Sequence, residues 1–156
     1  MDEPVKKIAI ASDHGGRELK DDLKEFLKSE GMEPVDMGVN NDASVDYPDY
    51  GSPVAEKVSN GEFDRAVLLC GTGIGMSILA NKYPNVRAAL VNDTYSARMA
   101  VEHNDANILV IGGRIIGKGL ACEILRTWLN GRFEGGRHQR RLDKIKEIEN
   151  RVMKKK

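Results

Sequence analysis

The amino-acid sequence predicts an α/β protein, a Rossmann-like three-layer α/β/α sandwich around a five-stranded parallel sheet. Five short apolar runs, rich in β-branched residues and without polar alternation, are each followed by a segment of helical periodicity. Such strands are typical of sheets buried on both faces, and parallel strands need long crossover connections. The 156 residues suffice for one domain with its own core. We therefore expect a single domain over residues 1–156.

The first two strand-helix pairs occupy the amino-terminal part of the chain. A strand over residues 5–12 leads into a polar loop and then a helix from Arg17, whose apolar residues share one face and which Gly31 ends. Residues 33–38 form a second, shorter strand. The turn-rich segment over residues 40–49 has no period and is long enough to cover a site. A helix over residues 50–60 follows.

The remaining three pairs follow the same pattern. A third strand ends at Cys70, and a glycine loop leads into a helix that reaches about residue 83. Residues 87–91 are a fourth strand, and Asp93 or Thr94 can cap the helix that runs toward His103. Residues 108–113 are a fifth strand. The helix over residues 117–130 then has an inner face made of Leu120, Ile124, Leu125, Trp128 and Leu129.

The chain ends in a basic segment with a narrow apolar stripe over residues 139–153. The stripe consists of Leu142, Ile145, Ile148 and Val152. It predicts a helix with one apolar edge that lies across its own domain or a partner subunit. The last three residues are all lysines.

Composition excludes several classes of protein. Lysine plus arginine equal aspartate plus glutamate at 24 each, so no net field draws the chain to nucleic acid or to a membrane surface. Cys70 and Cys122 show no disulfide framework and no metal-binding C-x-x-C spacing. The apolar run near the amino terminus is too short for a signal peptide or a membrane span. A cytoplasmic location is the expectation.

The segment from Cys70 to Ser77 is the first candidate site. A thiol between the end of a buried strand and the start of a helix lies where backbone N–H groups stabilise a thiolate, which makes Cys70 a candidate base or nucleophile. Gly71, Gly73 and Gly75 would let amides approach an anion closely. The alternatives are an inert buried cysteine and a tight turn. Dinucleotide binding fits poorly, because Met76 stands where G-x-G-x-x-G needs its third glycine.

In a parallel sheet the loops after the strands share one rim, near the switch in strand order. The loops over residues 13–14, 70–75, 92–93 and 112–114 are therefore expected to converge. We expect His103, like His14 and Arg114, to lie beside Cys70 at this rim. No two histidines have helical metal-ligand spacing, so we expect no metal. Arg137 and Arg141, four residues apart, make either a phosphate-binding fork or a solvated basic helix start.

Six ordered motifs, spread over about the whole chain, resemble those of the type B ribose-5-phosphate isomerases, a group that includes galactose-6-phosphate isomerase. They are Asp13-His14-Gly15-Gly16, Tyr47-Pro48-Asp49-Tyr50, Cys70 to Ser77, Glu102-His103-Asn104-Asp105-Ala106-Asn107, Gly112-Gly113-Arg114 and Arg137-His138-Gln139-Arg140-Arg141.

The resemblance implies an aldose-ketose isomerase that works through a cis-enediolate without a cofactor. By similarity, Cys70 takes the proton from C2, Thr72 and the loop amides hold the enediolate oxygens, and His103 opens the sugar ring. The other residues implied in substrate binding are Asp13, His14, Tyr47, Gly71, Gly73, Ile74, Gly75, Ser77, Asn104, Arg114, Arg137 and Arg141.

The resemblance also implies a homodimer, possibly a tetramer, whose sites lie between subunits, with the last helix at the interface. Which subunit supplies Arg137 and Arg141 stays open. Two alternatives remain for the substrate and the activity: an isomerase of a hexose 6-phosphate such as allose or galactose 6-phosphate, and a phosphate- or nucleotide-binding module without catalysis. RNA binding through the basic tail is disfavoured, because the tail lacks interleaved aromatic residues.

Overall fold

A computed structural model describes residues 6–154 of the chain. Strands and helices alternate five times, and a sixth helix ends the chain. The elements are β1 (Lys7–Ser12), α1 (Arg17–Ser29), β2 (Glu33–Asp36), α2 (Tyr47–Ser59), β3 (Ala66–Cys70), α3 (Ile74–Ala80), β4 (Ala88–Leu90), α4 (Thr94–Glu102), β5 (Ile108–Gly112), α5 (Lys118–Asn130) and α6 (Arg137–Met153). The expected strand start at Val5 and the last two lysines of the tail lie outside the described residues.

All strand pairs are parallel, in the order β2-β1-β3-β5-β4. One core cluster packs α1, α4 and α5 on one face of the sheet. A second packs α2 and α3 on the other face. The predicted three-layer α/β/α fold with a five-stranded parallel sheet is confirmed. The strand order changes direction between β1 and β3, which places the binding crevice of such a sheet beyond their carboxyl ends.

Several local expectations differ from the structure; helix α3, for example, ends at Ala80 rather than at about residue 83. Helix α2 begins at Tyr47 rather than at residue 50, because Pro48 suits the first turn of a helix. Helix α6 begins at Arg137, two residues before the expected start. Leu120 was expected on the inner face of α5 but is 43% exposed. At about 100° per residue around the helix axis, the Leu120 side chain lies about 90° from the middle of the buried face. That face consists of Ala121, Ile124, Leu125 and Trp128.

A buried ion pair fixes the chain after β2. The side chain of Lys20 is fully buried, and its Nζ donates to both carboxylate oxygens of Asp36 at 2.7 and 2.8 Å and to Asn40 Oδ1 at 2.9 Å. Lys24 Nζ lies 2.7 Å from Asp36 Oδ2, and the Gly38 N–H donates to Oδ1 at 2.8 Å. Desolvation raises the pKa of Asp36, but these hydrogen bonds together outweigh it and hold the pKa below the ordinary value.

Replacing Asp36 by asparagine is expected to lower the free energy of unfolding by about 3–5 kcal/mol, because the buried Lys20 ammonium loses its hydrogen-bonded counter-ion and keeps only Asp21 Oδ1, 3.8 Å away. Asp42→Asn is the matched control, since Asp42 pairs with Arg17 while 87% exposed. Such surface pairs contribute about 0–1 kcal/mol. Urea unfolding measures both variants. Equal losses of unfolding free energy in the two variants would show that the buried pair stabilises the fold no more than a surface pair does.

The same pair predicts a pH dependence of stability. Because the pKa of Asp36 is lower in the folded chain than in the unfolded chain, its contribution is complete above the unfolded pKa. It is lost as the pH falls through the folded pKa. The difference in unfolding free energy between wild type and Asp36→Asn should therefore shrink in acid.

Candidate active site

The carboxyl ends of β1, β3 and β5 meet at one rim, because β3 lies between the other two strands. Backbone hydrogen bonds join the loops that follow them. The Asp13 N–H donates to Leu69 O at 3.2 Å, the Gly113 N–H to Cys70 O at 2.9 Å and the Arg114 N–H to Gly71 O at 2.9 Å. Three sequence-distant loops are therefore held as one surface around the end of β3.

Cys70 is the last residue of β3 and is 4% exposed. Its Sγ accepts a hydrogen bond from the Gly73 N–H at 3.2 Å. Gly73 has φ of 81° and directly precedes α3, so the chain turns back over the sulfur before the helix begins. A backbone N–H therefore faces the sulfur from the start of α3.

Two glycines of the loop lie close to side chains from other segments. A β-carbon added at Gly71 would lie 3.2 Å from Arg114 Nη1, and one at Gly75 would lie 2.6 Å from Tyr47 Cζ. Tyr47 and Arg114 therefore pack against the loop backbone from two sides. The loop keeps its amide groups accessible to a small anion because no side chain of its own covers these two positions.

Other predicted rim residues carry donors and acceptors toward the same edge. Asp13 is buried, and its Oδ1 accepts from the Gly15 N–H at 2.9 Å. His14 is exposed, and its Nδ1 accepts from the Val45 N–H at 3.1 Å, which leaves Nε2 as the donor of the neutral ring. Thr72 Oγ1 accepts from the Ile74 N–H at 3.2 Å, so its hydroxyl proton is free to donate. Ser77 is half-buried in the first turns of α3.

Gly73→Ala is expected to disturb both the fold and the site. The left-handed conformation costs alanine about 1–2 kcal/mol. The added β-carbon would also lie 2.5 Å from Leu90 Cδ1 and 3.2 Å from the carbonyl carbon of Ile111. Gly61→Ala is the matched control, because Gly61 has φ of 78° and nothing within 4 Å. Urea unfolding should show the larger loss for Gly73→Ala; equal losses would remove the crowding argument.

A second cluster surrounds His103, which follows the last residue of α4. Its ring stacks on that of His138, with centroids 4.1 Å apart and planes 12° from parallel. His138 is buried near the start of α6, and desolvation, together with electrostatic repulsion from the nearby His103, Arg137 and Arg141, lowers its pKa. The side chains of Arg137 and Arg141 are exposed, as is that of Asn104.

The two clusters lie at opposite ends of the sheet. Asp105 O accepts from Arg87 Nε at 2.8 Å, and the Ala66 N–H donates to Asn107 O at 3.0 Å, which places the segment after His103 at the amino ends of β3 and β4. Cys70 lies at the other end of β3, four residues beyond Ala66. At about 3.3 Å per residue, the strand from Ala66 to Cys70 is about 13 Å long. The two clusters are therefore separated by about the length of this strand. The expectation that His103 joins Cys70 at one rim is wrong for a single chain, because α4 runs back across the sheet.

Known proteins are similar to this chain over most of its length. A family model described as ribose/galactose isomerase matches residues 8–145. The chain belongs to the ribose/galactose isomerase family. It is 56% identical to a putative sugar phosphate isomerase of Bacillus subtilis strain 168, over 92% of this chain and 97% of that one. The resemblance to type B ribose-5-phosphate isomerases is thereby confirmed at the level of the family.

Solved structures of this family superpose closely. Ribose-5-phosphate isomerase B of Clostridium thermocellum is 53% identical with a TM-score of 0.91, over 94% of this chain and 99% of that one. The enzyme of Mycoplasma genitalium, solved with bound ribulose-5-phosphate, is 44% identical with a TM-score of 0.88, over 92% of this chain and 96% of that one. Within residues 6–154, none of the helices is both long and apolar enough to cross a membrane.

Sequence reasoning missed Glu134. Its Oε2 lies 3.4 Å from His138 Nε2, and its N–H donates to Glu102 O at 3.1 Å. The only signal is the spacing of four residues between Glu134 and His138. Gly135 and Gly136 lie between them with positive φ, so no helix links the pair and the spacing alone has no meaning.

Proposed function

We propose that this protein interconverts D-ribose 5-phosphate and D-ribulose 5-phosphate through a cis-enediolate. The observation that carries the proposal is the position of Cys70. Its buried thiol lies directly before the glycine-rich loop and accepts a hydrogen bond from the Gly73 N–H. The family relationship supports it, and the Mycoplasma genitalium structure with bound ribulose-5-phosphate supports the choice of a pentose phosphate.

The reaction moves one proton between C2 and C1 of the open-chain sugar and a second proton between the oxygens on those two carbons. In the proposed mechanism the Cys70 thiolate removes the proton from one carbon and returns it to the other. The negative charge that develops on the two sugar oxygens is met by the hydroxyl of Thr72 and the amides between Gly71 and Gly75. Donors fixed before the reaction stabilise such a charge more than water does. The Asp13 carboxylate would accept a hydrogen bond from a sugar hydroxyl, and the Nε2–H of His14 would donate to a hydroxyl or phosphate oxygen.

Ring opening needs a second proton-transfer group, and we assign it to His103 of a partner subunit. Within one chain the strand separation of about 13 Å is too long for Cys70 and His103 to act on one sugar. A two-fold dimer whose rim faces the other chain's His103 cluster would form two complete sites. In that arrangement Arg137 and Arg141 of the partner subunit join Arg114 around the phosphate, and Asn104 of the partner subunit meets a hydroxyl.

Exposed apolar side chains support this pairing. Ile74 and Ile78 on the outer face of α3 are 54% and 57% exposed beside the Cys70 rim. On α6, Ile145, Ile148 and Val152 are 50–57% exposed along an open groove of about 540 Å³. Asn81, directly after α3, lines that groove. A contiguous exposed apolar surface is typical of a protein interface, so α3 and α6 are the proposed dimer contact.

A substrate panel tests the proposed activity. Purified protein in the presence of a chelator should convert ribose 5-phosphate with the highest kcat/KM among aldose phosphates. Preference for allose or galactose 6-phosphate would assign the hexose alternative. Nucleotide binding without any isomerisation would favour the non-catalytic module. Both cysteines are free thiols, which fits the proposed reducing, cytoplasmic setting.

A further inference from the structure

The His103 cluster contains more ligand-type atoms than ring opening needs. One nitrogen of His103, one of His138 and one carboxylate oxygen of Glu134 all lie within 4.8 Å of one another. The proposed isomerisation uses only His103 of these three. The chemistry of the other two side chains therefore needs its own explanation.

The scaffold around the cluster is built by packing and backbone hydrogen bonds. Gly131 packs against the side chain of Val101, and the Glu134 N–H donates to Glu102 O at 3.1 Å, so the segment after α5 is docked on the end of α4. The His138 N–H donates to Gly135 O at 3.0 Å, which sets the start of α6. These contacts hold two sequence-distant histidines and a carboxylate together.

One polar atom in this scaffold has no partner. The side chain of His138 is 5% exposed, and its buried Nε2 has no hydrogen-bond partner among the described residues. Its nearest acceptor is Glu134 Oε2 at 3.4 Å. Buried polar atoms without partners are rare in folded proteins and call for a ligand or a functional reason. That contact lacks hydrogen-bond geometry, and a separation of 3.4 Å is close to the spacing of two ligand atoms around one tetrahedral zinc ion.

We propose that His103, Glu134 and His138 form a binding site for Zn²⁺ or a similar divalent transition metal, and that the bound ion inhibits the isomerase. Two imidazole nitrogens and one carboxylate oxygen are a common three-ligand set for zinc, with water as the fourth ligand. The set does not suit Mg²⁺ or Ca²⁺, which take oxygen ligands. This site is distinct from a cofactor site, because the proposed isomerisation requires no metal.

Metal binding and the histidine stack exclude each other. Zinc-nitrogen bonds are about 2.0–2.1 Å long and lie in the plane of each ring. Two rings stacked 4.1 Å apart and nearly parallel direct their nitrogens side by side, so they must turn toward each other to share one ion. Bound zinc would therefore occupy the nitrogen lone pair of His103 that a proton would use. It would also move the His103 ring out of its stacked position. The inhibition rests on the proposed function, in which His103 exchanges a proton with the sugar; the binding does not.

Co²⁺ absorption tests the binding without any use of activity. The probe is Co²⁺ added to the full chain with Cys70→Ser and Cys122→Ser, which removes both thiols. Saturable visible bands of tetrahedral Co²⁺ that Zn²⁺ displaces are the expected result, with affinity about tenfold or more lower in the same chain carrying Glu134→Gln. No saturable band, or an affinity unchanged by Glu134→Gln, would overturn the site. Binding that is present in wild type and absent without thiols would assign the metal to cysteine and also overturn it.

Inhibition is measured separately on chains with native cysteines. Wild type should lose ribose 5-phosphate isomerase activity with Zn²⁺ and regain it with a chelator. Glu134→Gln should keep its basal activity and need about tenfold more Zn²⁺ for the same loss. Equal zinc sensitivity of the two chains would contradict the inhibitory role. If wild type has no isomerase activity at all, the proposed function fails while the Co²⁺ result still decides the site.

Discussion

Replacing Cys70 by alanine is expected to lower kcat for ribose 5-phosphate isomerisation by about 10²- to 10⁴-fold, the usual contribution of a general base. Without the sulfur the proposed mechanism lacks its base for the proton on carbon, because Asp13 and His14 are assigned to substrate binding. KM should change far less, since the arginines proposed to bind the phosphate are untouched. Steady-state rates with ribose 5-phosphate make the measurement.

Two further variants separate chemistry from folding. Cys70→Ser keeps the volume of the side chain but is a much weaker base near neutral pH, so its rate should fall as well. Cys122→Ala is the matched control, because Cys122 lies on α5, which packs on the opposite face of the sheet. Circular dichroism and urea unfolding check that all three chains fold. An undiminished rate in folded Cys70→Ala would remove Cys70 from the base role.

Mixing two inactive variants is expected to restore activity. Cys70→Ala damages the rim of a chain, and His103→Ala damages the cluster at the other end of its sheet. In a dimer of one chain of each kind, one site combines the intact rim of one chain with the intact His103 cluster of the other. Random exchange makes about half of the dimers mixed, each with one intact site, so about a quarter of wild-type activity should return.

Variants within one cluster provide the control for this experiment. Cys70→Ala mixed with Arg114→Ala leaves every rim damaged, and His103→Ala mixed with Arg137→Ala leaves every His103 cluster damaged. Neither mixture should recover activity after subunit exchange by mild denaturant and dilution. Recovery in these mixtures, or none in the mixture of Cys70→Ala with His103→Ala, would contradict a site shared between two chains.

Local sequence patterns predicted most of the fold because they report local physics. The apolar run that ends at Cys70 and the glycines after it indicated the strand, the turn and the helix start that the structure has. The buried face of a helix also follows from such patterns where the apolar period is strong. Leu120 shows the limit, because a leucine at the edge of an apolar face can be exposed without any change of period.

Contacts between distant segments were not predictable in the same way. The stack of His103 on His138 joins the end of α4 to the start of α6 and depends on how the connecting segment docks. The burial of Lys20 has no sequence signal either, since a lysine on an amphipathic helix is normally solvated. Its partners Asp36 and Asn40 lie beyond the next turn and come close only in the folded chain.

The opposite placement of Cys70 and His103 has a genetic consequence in the proposed dimer. A chain that carries lesions at both residues would contribute a damaged rim to one site and a damaged His103 cluster to the other. Every mixed dimer would then lose both sites, although its wild-type chain is intact. Such an allele would be dominant negative, whereas either single lesion would leave one working site in each mixed dimer.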